Sequence, residues 1–483
     1  MQRPQETRII DVREADFASM LKSSRMLGWL LLVSALVPVT SVRSQTSAPS
    51  NSSMEQTFQA AMTAEDRGDL QKAESLLAQL RSGHPGIFAV DESLGLIYVK
   101  QEEFDKALPL LKAATLEQPG SDAAHANLGA AYFRLGRNKE ALTEFQTAAQ
   151  IDPKNSATQQ SLGRLLMEEH QPLQAANAFG AAMKAAPDNS DLLLDRARAL
   201  IEAGQASRAM EELNRMSGHD QSASAQSLLG DAEEKLGSYQ QAAEHYARAV
   251  ELEPSEANAW ALGVEFLRHW TFEAAIREFE AADLNFPGST RMKLGLGAAY
   301  FGDSRYANAI PVFADLLNND PNSALYAELL GMACTAVSQS SKQGCTALVD
   351  YAETHPRDAR ASTYAASMLL TEDGSDDRTE TARKLLENAL VAAPRLPDAQ
   401  YQMGLLKQNQ DDWAGSIHNL EAAIALKPDL AQAHYRLALA YWRTGRKQQG
   451  QAEMDLQKKY SKQEKADLDR RLRQITTFIV NVQ

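Results

Sequence analysis

The chain has 483 residues, of which 44% are hydrophobic and 23% charged, and its formal net charge is -14. That acidic balance, without a basic stripe, argues against a nucleic-acid binder, and two cysteines leave room for one internal disulfide at most. An ordinary globular chain of this length would form about three domains, but the patterning described below points instead to one quasi-linear array.

The N-terminus stands apart. "LGWLLLVSALVPV" is a 13-residue apolar run, preceded by Lys22 and Arg25 and followed by the small and polar stretch "TSVRSQTSAPSNSS". The run is too short to span a bilayer comfortably. Its outline is that of a secretory signal peptide, which predicts cleavage after Ser44, a leader over 1–44 and a polar linker over 45–53. The 26 residues ahead of the run hold four acidic residues, which points to Met20 as the true start. The alternative is an uncleaved membrane anchor. The predicted compartment is therefore periplasmic or secreted, with no stable membrane span after cleavage.

Beyond the linker the pattern becomes helical. In "LGAAYFRLGRNKEALTEFQTAAQIDP", from Leu128 to Pro153, Leu128, Tyr132 and Leu135 share one helical face. Gly136 breaks the run, and Ala141, Leu142, Phe145, Ala148 and Ala149 define a second face. Pro153 closes it, because proline lacks the N–H and clashes with the preceding turn. The stretch is a helix–turn–helix hairpin too small to bury its own apolar faces, so it needs neighbours on both sides.

The chain supplies them. The small first-helix residue recurs as Gly95, Gly129, Gly163, Ala197, Gly230, Gly263, Gly297, Gly331, Gly404 and Ala438. The small second-helix residue recurs as Ala73, Ala107, Ala141, Ala175, Ala209, Ala242, Ala275, Ala309 and Ala382. A closing proline recurs as Pro85, Pro119, Pro153, Pro187, Pro254, Pro287, Pro321, Pro356, Pro394 and Pro428. The prevailing period is 34 residues, shortened to 33 twice.

These registers resemble the tetratricopeptide repeat family, whose small, aromatic and proline signature the quoted stretch carries. The resemblance implies an all-α, right-handed superhelical solenoid of about twelve repeats over 54–460. Residues 461–483 place Leu468, Leu472, Ile475 and Ile479 on one face and form a C-terminal capping helix, as terminal repeats need. The register is weakest where Gln221 replaces the closing proline, at the polar turn "VSQSSKQG", at the acidic insertion "TEDGSDDRTE", and where Ser416 and Gly450 replace the second-helix alanine. Cys334 and Cys345 flank that polar turn; they form either a disulfide or two small buried core residues.

Little in the sequence points to catalysis. The nine histidines form no i, i+4 pair of a zinc helix, and no phosphate-binding G-x-x-x-x-G-K-[ST] occurs. "GLGAAY" at Gly295 has Tyr300 where a dinucleotide loop needs glycine, and "GDS" at Gly302 to Ser304 falls at a helix–helix turn. The reading is a non-enzyme without metal or cofactor; a hydrolase built on "GDS" and a passive spacer are the alternatives.

The resemblance implies that the first helix of each hairpin lines a concave groove. Its candidate partner-binding residues are Asn127, Phe133, Arg134, Arg164, Arg198, Trp260, Arg268, Arg291, Phe301, Tyr401, Tyr435, Arg436, Trp442 and Arg443. Arginines offer bidentate contacts to carboxylates and aromatics offer anchors. The partner expected is a protein or peptide with acidic and aromatic or apolar side chains, or a free carboxyl terminus. Alternatively the arginines are solvated or pair with Glu168, Glu202 and Asp231. One family subtype grips C-terminal carboxylates through Asn, Lys and Arg on adjacent repeats. Asn127 matches its asparagine, but Ala157 and Ser161 stand where its cations belong. The resulting expectation is an exported scaffold or adaptor, by analogy one of envelope assembly or export machinery, of unspecified oligomeric state.

Overall fold

A computed structural model describes residues 50–337, 344–371 and 376–461. The leader, most of the linker and residues 462–483 of the expected capping helix lie outside the described residues, as do 338–343 and 372–375. The chain divides into two compact units, Met1–Ser238 and Tyr239–Gln483.

In the first unit the described helices are α1 (Ser50–Asp66), α2 (Leu70–Gly83), α3 (Phe88–Lys100), α4 (Phe104–Glu117), α5 (Asp122–Arg134), α6 (Asn138–Ile151), α7 (Ser156–Glu168), α8 (Pro172–Ala185), α9 (Ser190–Glu202), α10 (Ala206–Asn214) and α11 (Ala223–Leu236). The second unit holds α12 (Tyr239–Leu252), α13 (Glu256–Arg268), α14 (Phe272–Asn285), α15 (Thr290–Gly302), α16 (Tyr306–Asn319), α17 (Ala324–Ala336), α18 (Thr346–Thr354), α19 (Ala359–Thr371), α20 (Asp376–Ala392), α21 (Pro397–Asn409), α22 (Trp413–Leu426), α23 (Ala431–Arg443) and a last helix, α24, over 447–461. Within each unit successive helices pack as antiparallel hairpins, and each hairpin packs on the next. The all-α hairpin array is the architecture expected.

The small-residue registers explain how each hairpin closes. All nine second-helix alanines, from Ala73 to Ala382, are fully buried. The first-helix glycines meet the side chain sixteen residues on: Gly95 meets Leu111, Gly129 meets Phe145, Gly163 meets Phe179, Gly263 meets Phe279, Gly297 meets Phe313 and Gly404 meets Leu420. A Cβ on Gly263 would lie 2.3 Å from Phe279 Cζ, and one on Gly297 would lie 2.4 Å from Phe313 Cε1. The ring therefore occupies the volume of the missing methyl, and the backbones approach through it. At the equivalent pair of the α9–α10 hairpin, Ala197 and Leu213 are both fully buried.

The prolines act as expected. Each of the ten lies two residues past the last residue of a second helix. Proline drives the residue before it out of the helical region; Asp152, ahead of Pro153, is extended at φ -123 and ψ 91. Without a proline, the exit at Gln221 differs. There α10 is cut to 9 residues, and the short 3-10 turn His219–Gln221 makes the connection. Seven first helices start on side-chain caps, with Ser121, Asn155, Asn189, Ser222, Ser255, Ser289 and Ser323 each accepting a backbone N–H, whereas α3, α21 and α23 start behind Ile87, Leu396 and Leu430 without one.

A fourth register was not read from the sequence. Where the turn inside a hairpin is fully described, it holds one left-handed residue. It is Gly68, Gly136, Gly204 and Gly445 in some hairpins, but Glu102, His170, Trp270, Ser304 and Asp411 in others. Gly136 was visible because glycine adopts φ 70 without cost. Ser304 of the "GDS" motif is the same turn position, at φ 61, and its N–H donates to the Phe301 carbonyl at 3.0 Å.

The irregular repeats have local causes. The second helix after Gly331 is shortened to α18, and Tyr364 of α19 fills the space over Gly331 instead, with Cδ2 2.5 Å from where a Cβ would stand. Cys334, in the last turn of α17, and Cys345, ahead of α18, are both buried and joined as a disulfide, with their Cα atoms 6.0 Å apart. Gly450 replaces alanine because Trp442 lies over it, 2.5 Å from a would-be Cβ.

Gly263→Ala is expected to overpack its hairpin and destabilise the protein by about 1–3 kcal/mol. Adding Phe279→Leu should return part of that loss. Urea unfolding of the single and double variants measures both, and an unchanged midpoint in Gly263→Ala would contradict the close approach.

Candidate partner-binding site

First helices are touched by neighbours on two sides, so most of their surface becomes core. In α5, residues Ala124 and Ala126 to Tyr132 are all buried. This limits which expected groove residues can meet a partner. Asn127, Trp260, Phe301 and Tyr401 are buried, at 1%, 5%, 8% and 9% exposure. Three of the four correct the sequence expectation of a contact surface. Asn127 donates through Nδ2 to Glu92 Oε1 of α3 at 3.0 Å. Trp260 packs on Phe279, with ring centroids 5.8 Å apart, and Phe301 meets Tyr306 edge-on at 5.0 Å. Tyr401 keeps a role in a cleft described below.

The arginines sort by unit. In the first unit Arg134 lies 3.5 Å from Glu102. Arg164 and Arg198 both approach Asp195 of α9, at 3.4 and 3.9 Å. Asp195 is a partner that the sequence reading did not name. Phe133 is half-buried against the core of this unit. In the second unit Arg268 Nη1 lies 3.1 Å from the buried Glu265 carboxylate, which His269 also approaches at 3.3 Å. Arg291 stacks 4.5 Å over the Trp260 ring, tying α15 to α13. Arg443 lies 5.6 Å over Trp413, and Trp442, at 38% exposure, covers Gly450. The pairs with an exposed member, Arg134–Glu102 and Arg198–Asp195, contribute about 0–1 kcal/mol each.

Three of the expected residues converge. Tyr401 of α21 and Tyr435 and Arg436 of α23 line a cleft of about 330 Å³, with Ala431 and Gln432 of α23 and Gln457 and Ser461 of α24. Tyr401 stands three residues before Gly404, and Tyr435 three before Ala438. The repeat register thus brings the two phenols to equivalent positions on successive first helices. Arg436 is the single cation on the wall, and Tyr435 is 43% exposed. The lining thus offers phenol rings, two amide side chains and one guanidinium.

The Glu92–Asn127 contact is a different kind of feature. Glu92 is buried at 6% exposure. Burial raises its pKa to about 7, opposed by the Asn127 hydrogen bond and reinforced by the nearby negative charge of Asp122. The position facing the family's clamp asparagine is therefore filled by an acid of this chain. No helix among the described residues is long and apolar enough to cross a membrane.

Paired helices with buried alanines, ring-on-glycine contacts and proline exits define an all-α helical-repeat array. Sequence profiles agree: one described as tetratricopeptide repeat matches residues 166–232, and another of the same description matches 92–156, 217–259, 227–269 and 260–324. A third, described as TPR repeat, matches 409–445. Together they cover more than half of the chain, which belongs to the tetratricopeptide repeat family. Proteins of this family bind protein or peptide partners and are generally scaffolds without catalytic activity.

Several solved structures are similar. One is that of Naa15/Naa10 bound to HypK-THB, at 14% identity over 83% of this chain and 68% of that one, with a TM-score of 0.39. YrrB, titled a TPR protein with an unusual peptide-binding site, is 18% identical over 38% of this chain and 95% of its own, with a TM-score of 0.36. Pseudomonas aeruginosa pilF is 17% identical over 43% and 95%, with a TM-score of 0.35. No curated protein matches the sequence.

The Glu92 environment gives a signed prediction. Its folded pKa, about 7, is raised above the ordinary 4.5. Its stabilising contribution is therefore complete below the unfolded value and is lost as pH rises from there through 7. Glu92→Gln keeps an acceptor for Asn127 and removes the titration. The variant should be more stable than the parent at pH 8, by on the order of 2–3 kcal/mol, and equal to it near pH 4.5. Urea unfolding across that range measures the difference.

Proposed function

We propose that this protein is an exported scaffold that holds segments of partner proteins against the first-helix faces of its hairpins. The observation that carries the binding reading is the cleft formed by Tyr401, Tyr435 and Arg436, where residues of two successive first helices meet around one cation. A partner segment carrying a carboxylate beside an aromatic or apolar side chain fits that lining. The arginines paired with Asp195 form a second, weaker surface, since a partner carboxylate must compete with an acid already present.

Export rests on different support. The apolar run "LGWLLLVSALVPV" behind basic residues reads as a secretory leader. The Cys334–Cys345 disulfide suits an oxidising compartment. A role in assembling envelope or export machinery fits such a scaffold. The alternative reading as a hydrolase at "GDS" is weakened by Ser304 itself, which occupies the left-handed turn register of Gly136.

Two measurements test this. Tagged residues 45–483 should capture a defined partner from native envelope extract, identified by mass spectrometry. The same bait carrying Tyr435→Ala and Arg436→Glu should lose that partner at least tenfold, whereas Arg164→Glu with Arg198→Glu should weaken it less. Equal capture by all three baits would contradict the cleft as the binding site. The intact mass of the native protein under non-reducing conditions should match a chain beginning at Gln45 with one disulfide. A mass that includes Leu30 would contradict cleavage.

A further inference from the structure

The same arrangement of three groups recurs in two hairpins far apart in the chain. In α5, His125 Nδ1 lies 2.6 Å from Glu144 Oε2 of α6, and its Nε2 faces the Pro119 carbonyl at 3.3 Å. In α23, His434 Nδ1 lies 2.6 Å from Glu453 Oε2 of α24, and its Nε2 faces the Pro428 carbonyl at 2.8 Å. The spacings are identical: each acid follows its histidine by nineteen residues, and each proline precedes it by six. The histidine thus ties the start of a first helix both to its own second helix and to the proline exit of the preceding hairpin.

One other hairpin makes both ties without a titratable ring, and a second makes the proline half. Gln400 Nε2 donates to the Pro394 carbonyl at 3.3 Å, while its Oε1 accepts from Asn419 Nδ2 at 2.7 Å. Gln159 Nε2 donates to the Pro153 carbonyl at 3.3 Å. A glutamine supplies one donor and one acceptor, which matches a carbonyl and an asparagine amide. A histidine between a carbonyl and a carboxylate faces two acceptors. Only the doubly protonated ring satisfies both; a neutral ring turns a lone pair toward one of them.

His434 is the more consequential of the two. It is 2% exposed, so water cannot replace a lost partner. Its ring also stacks on Tyr460 of α24 at 5.3 Å. The wall of the Tyr401 cleft is built from α23 and α24, through Tyr435, Arg436, Gln457 and Ser461. The other titratable or charged groups around the latch are Lys459, over the Tyr460 ring, and Tyr441 of α23. The Tyr441 hydroxyl donates to Glu421 of α22; burial raises its pKa, with Glu421 and then Glu453 adding to the rise, and Arg446 lies against its ring.

We propose that His434, Glu453 and the Pro428 carbonyl form a proton-operated latch that holds α24 against α23 and so sets the shape of the cleft wall. With the ring protonated, α24 is held at both ends of the imidazole. When the ring loses its second proton, one hydrogen bond is lost in a buried place and α24 opens more often. A ring held between two acceptors makes the latch stronger when protonated and weaker when neutral.

Hydrogen exchange on the full chain, read by mass spectrometry at pH 6 and pH 8 and corrected for intrinsic rates, tests this without any partner. Protection of helix 447–461 should fall by about tenfold on going to pH 8, the scale of one charge-assisted hydrogen bond. His434→Gln, which copies the Gln400 arrangement, should show no such fall, and neither should Glu453→Gln. Peptides from α6 should keep the parent's response in both variants, because His125 and Glu144 are intact there. Protection that is independent of pH in the parent, or a fall retained in His434→Gln, would overturn the latch. Either outcome leaves the binding reading to its own test, since no ligand is present in the measurement.

Discussion

The structure depends on the close approach of two helices at a residue that has no side chain. When a second-helix ring lies where a first-helix Cβ would stand, as Phe279 does over Gly263, the hairpin has one packing solution. The ring fills the gap, the backbones draw together, and a buried alanine such as Ala275 completes the seam. Protein interiors are close-packed, so a single methyl at such a point is felt. Everything else in each repeat, including the proline exit and the capped start of the next helix, serves to present that contact again about 34 residues later. The exceptions obey the same constraint: Tyr364 fills the space over Gly331 and Trp442 that over Gly450, so an irregular repeat finds another aromatic to do the filling.

Function follows from what this packing leaves over. A hairpin has too little surface to close a catalytic pocket, but successive first helices bring equivalent positions side by side. Where such positions hold buried residues, as with Trp260, they join neighbouring repeats, here through the exposed Arg291 of α15 stacked on its ring. Where they hold Tyr401, Tyr435 and Arg436, they line an open cleft. The same register thus yields both stability and an open cleft. The histidine ties add a second use of it, because a polar residue near the start of a first helix can bridge to the second helix and to the preceding proline.

The architecture was legible in the sequence because three of its registers use residues with unmistakable physical roles: glycine, alanine and proline. The turn register was only half visible. Gly136 announces a left-handed residue, but Glu102, His170, Trp270 and Ser304 adopt the same conformation with nothing in their identity to signal it. Site residues were harder still. Periodicity places Asn127 and Trp260 on a first helix, but it does not say that neighbours on both sides bury them at 1% and 5% exposure. Nor does spacing along one helix show that Asn127 meets Glu92, or that Asp195 sits between Arg164 and Arg198. The Asn127–Glu92 and Arg164–Asp195 pairings lie between repeats, and the regular repeat spacing could have revealed them, whereas Arg198 and Asp195 are three apart on α9. Glu92 and Asn127 are 35 residues apart, one repeat plus one.

The central claim is that a hairpin such as α13–α14 is closed by its own glycine contact, Gly263 against Phe279, and communicates only with its neighbours, as expected of a repeat array. Hydrogen exchange of the full chain carrying Gly263→Ala tests it most directly. Protection should fall in α13, α14, α15 and α16, and should remain at the parent's level in α3 to α8. A uniform loss of protection throughout the chain would contradict the account, because it would mean that the array unfolds as one body and that no single contact governs its own repeat.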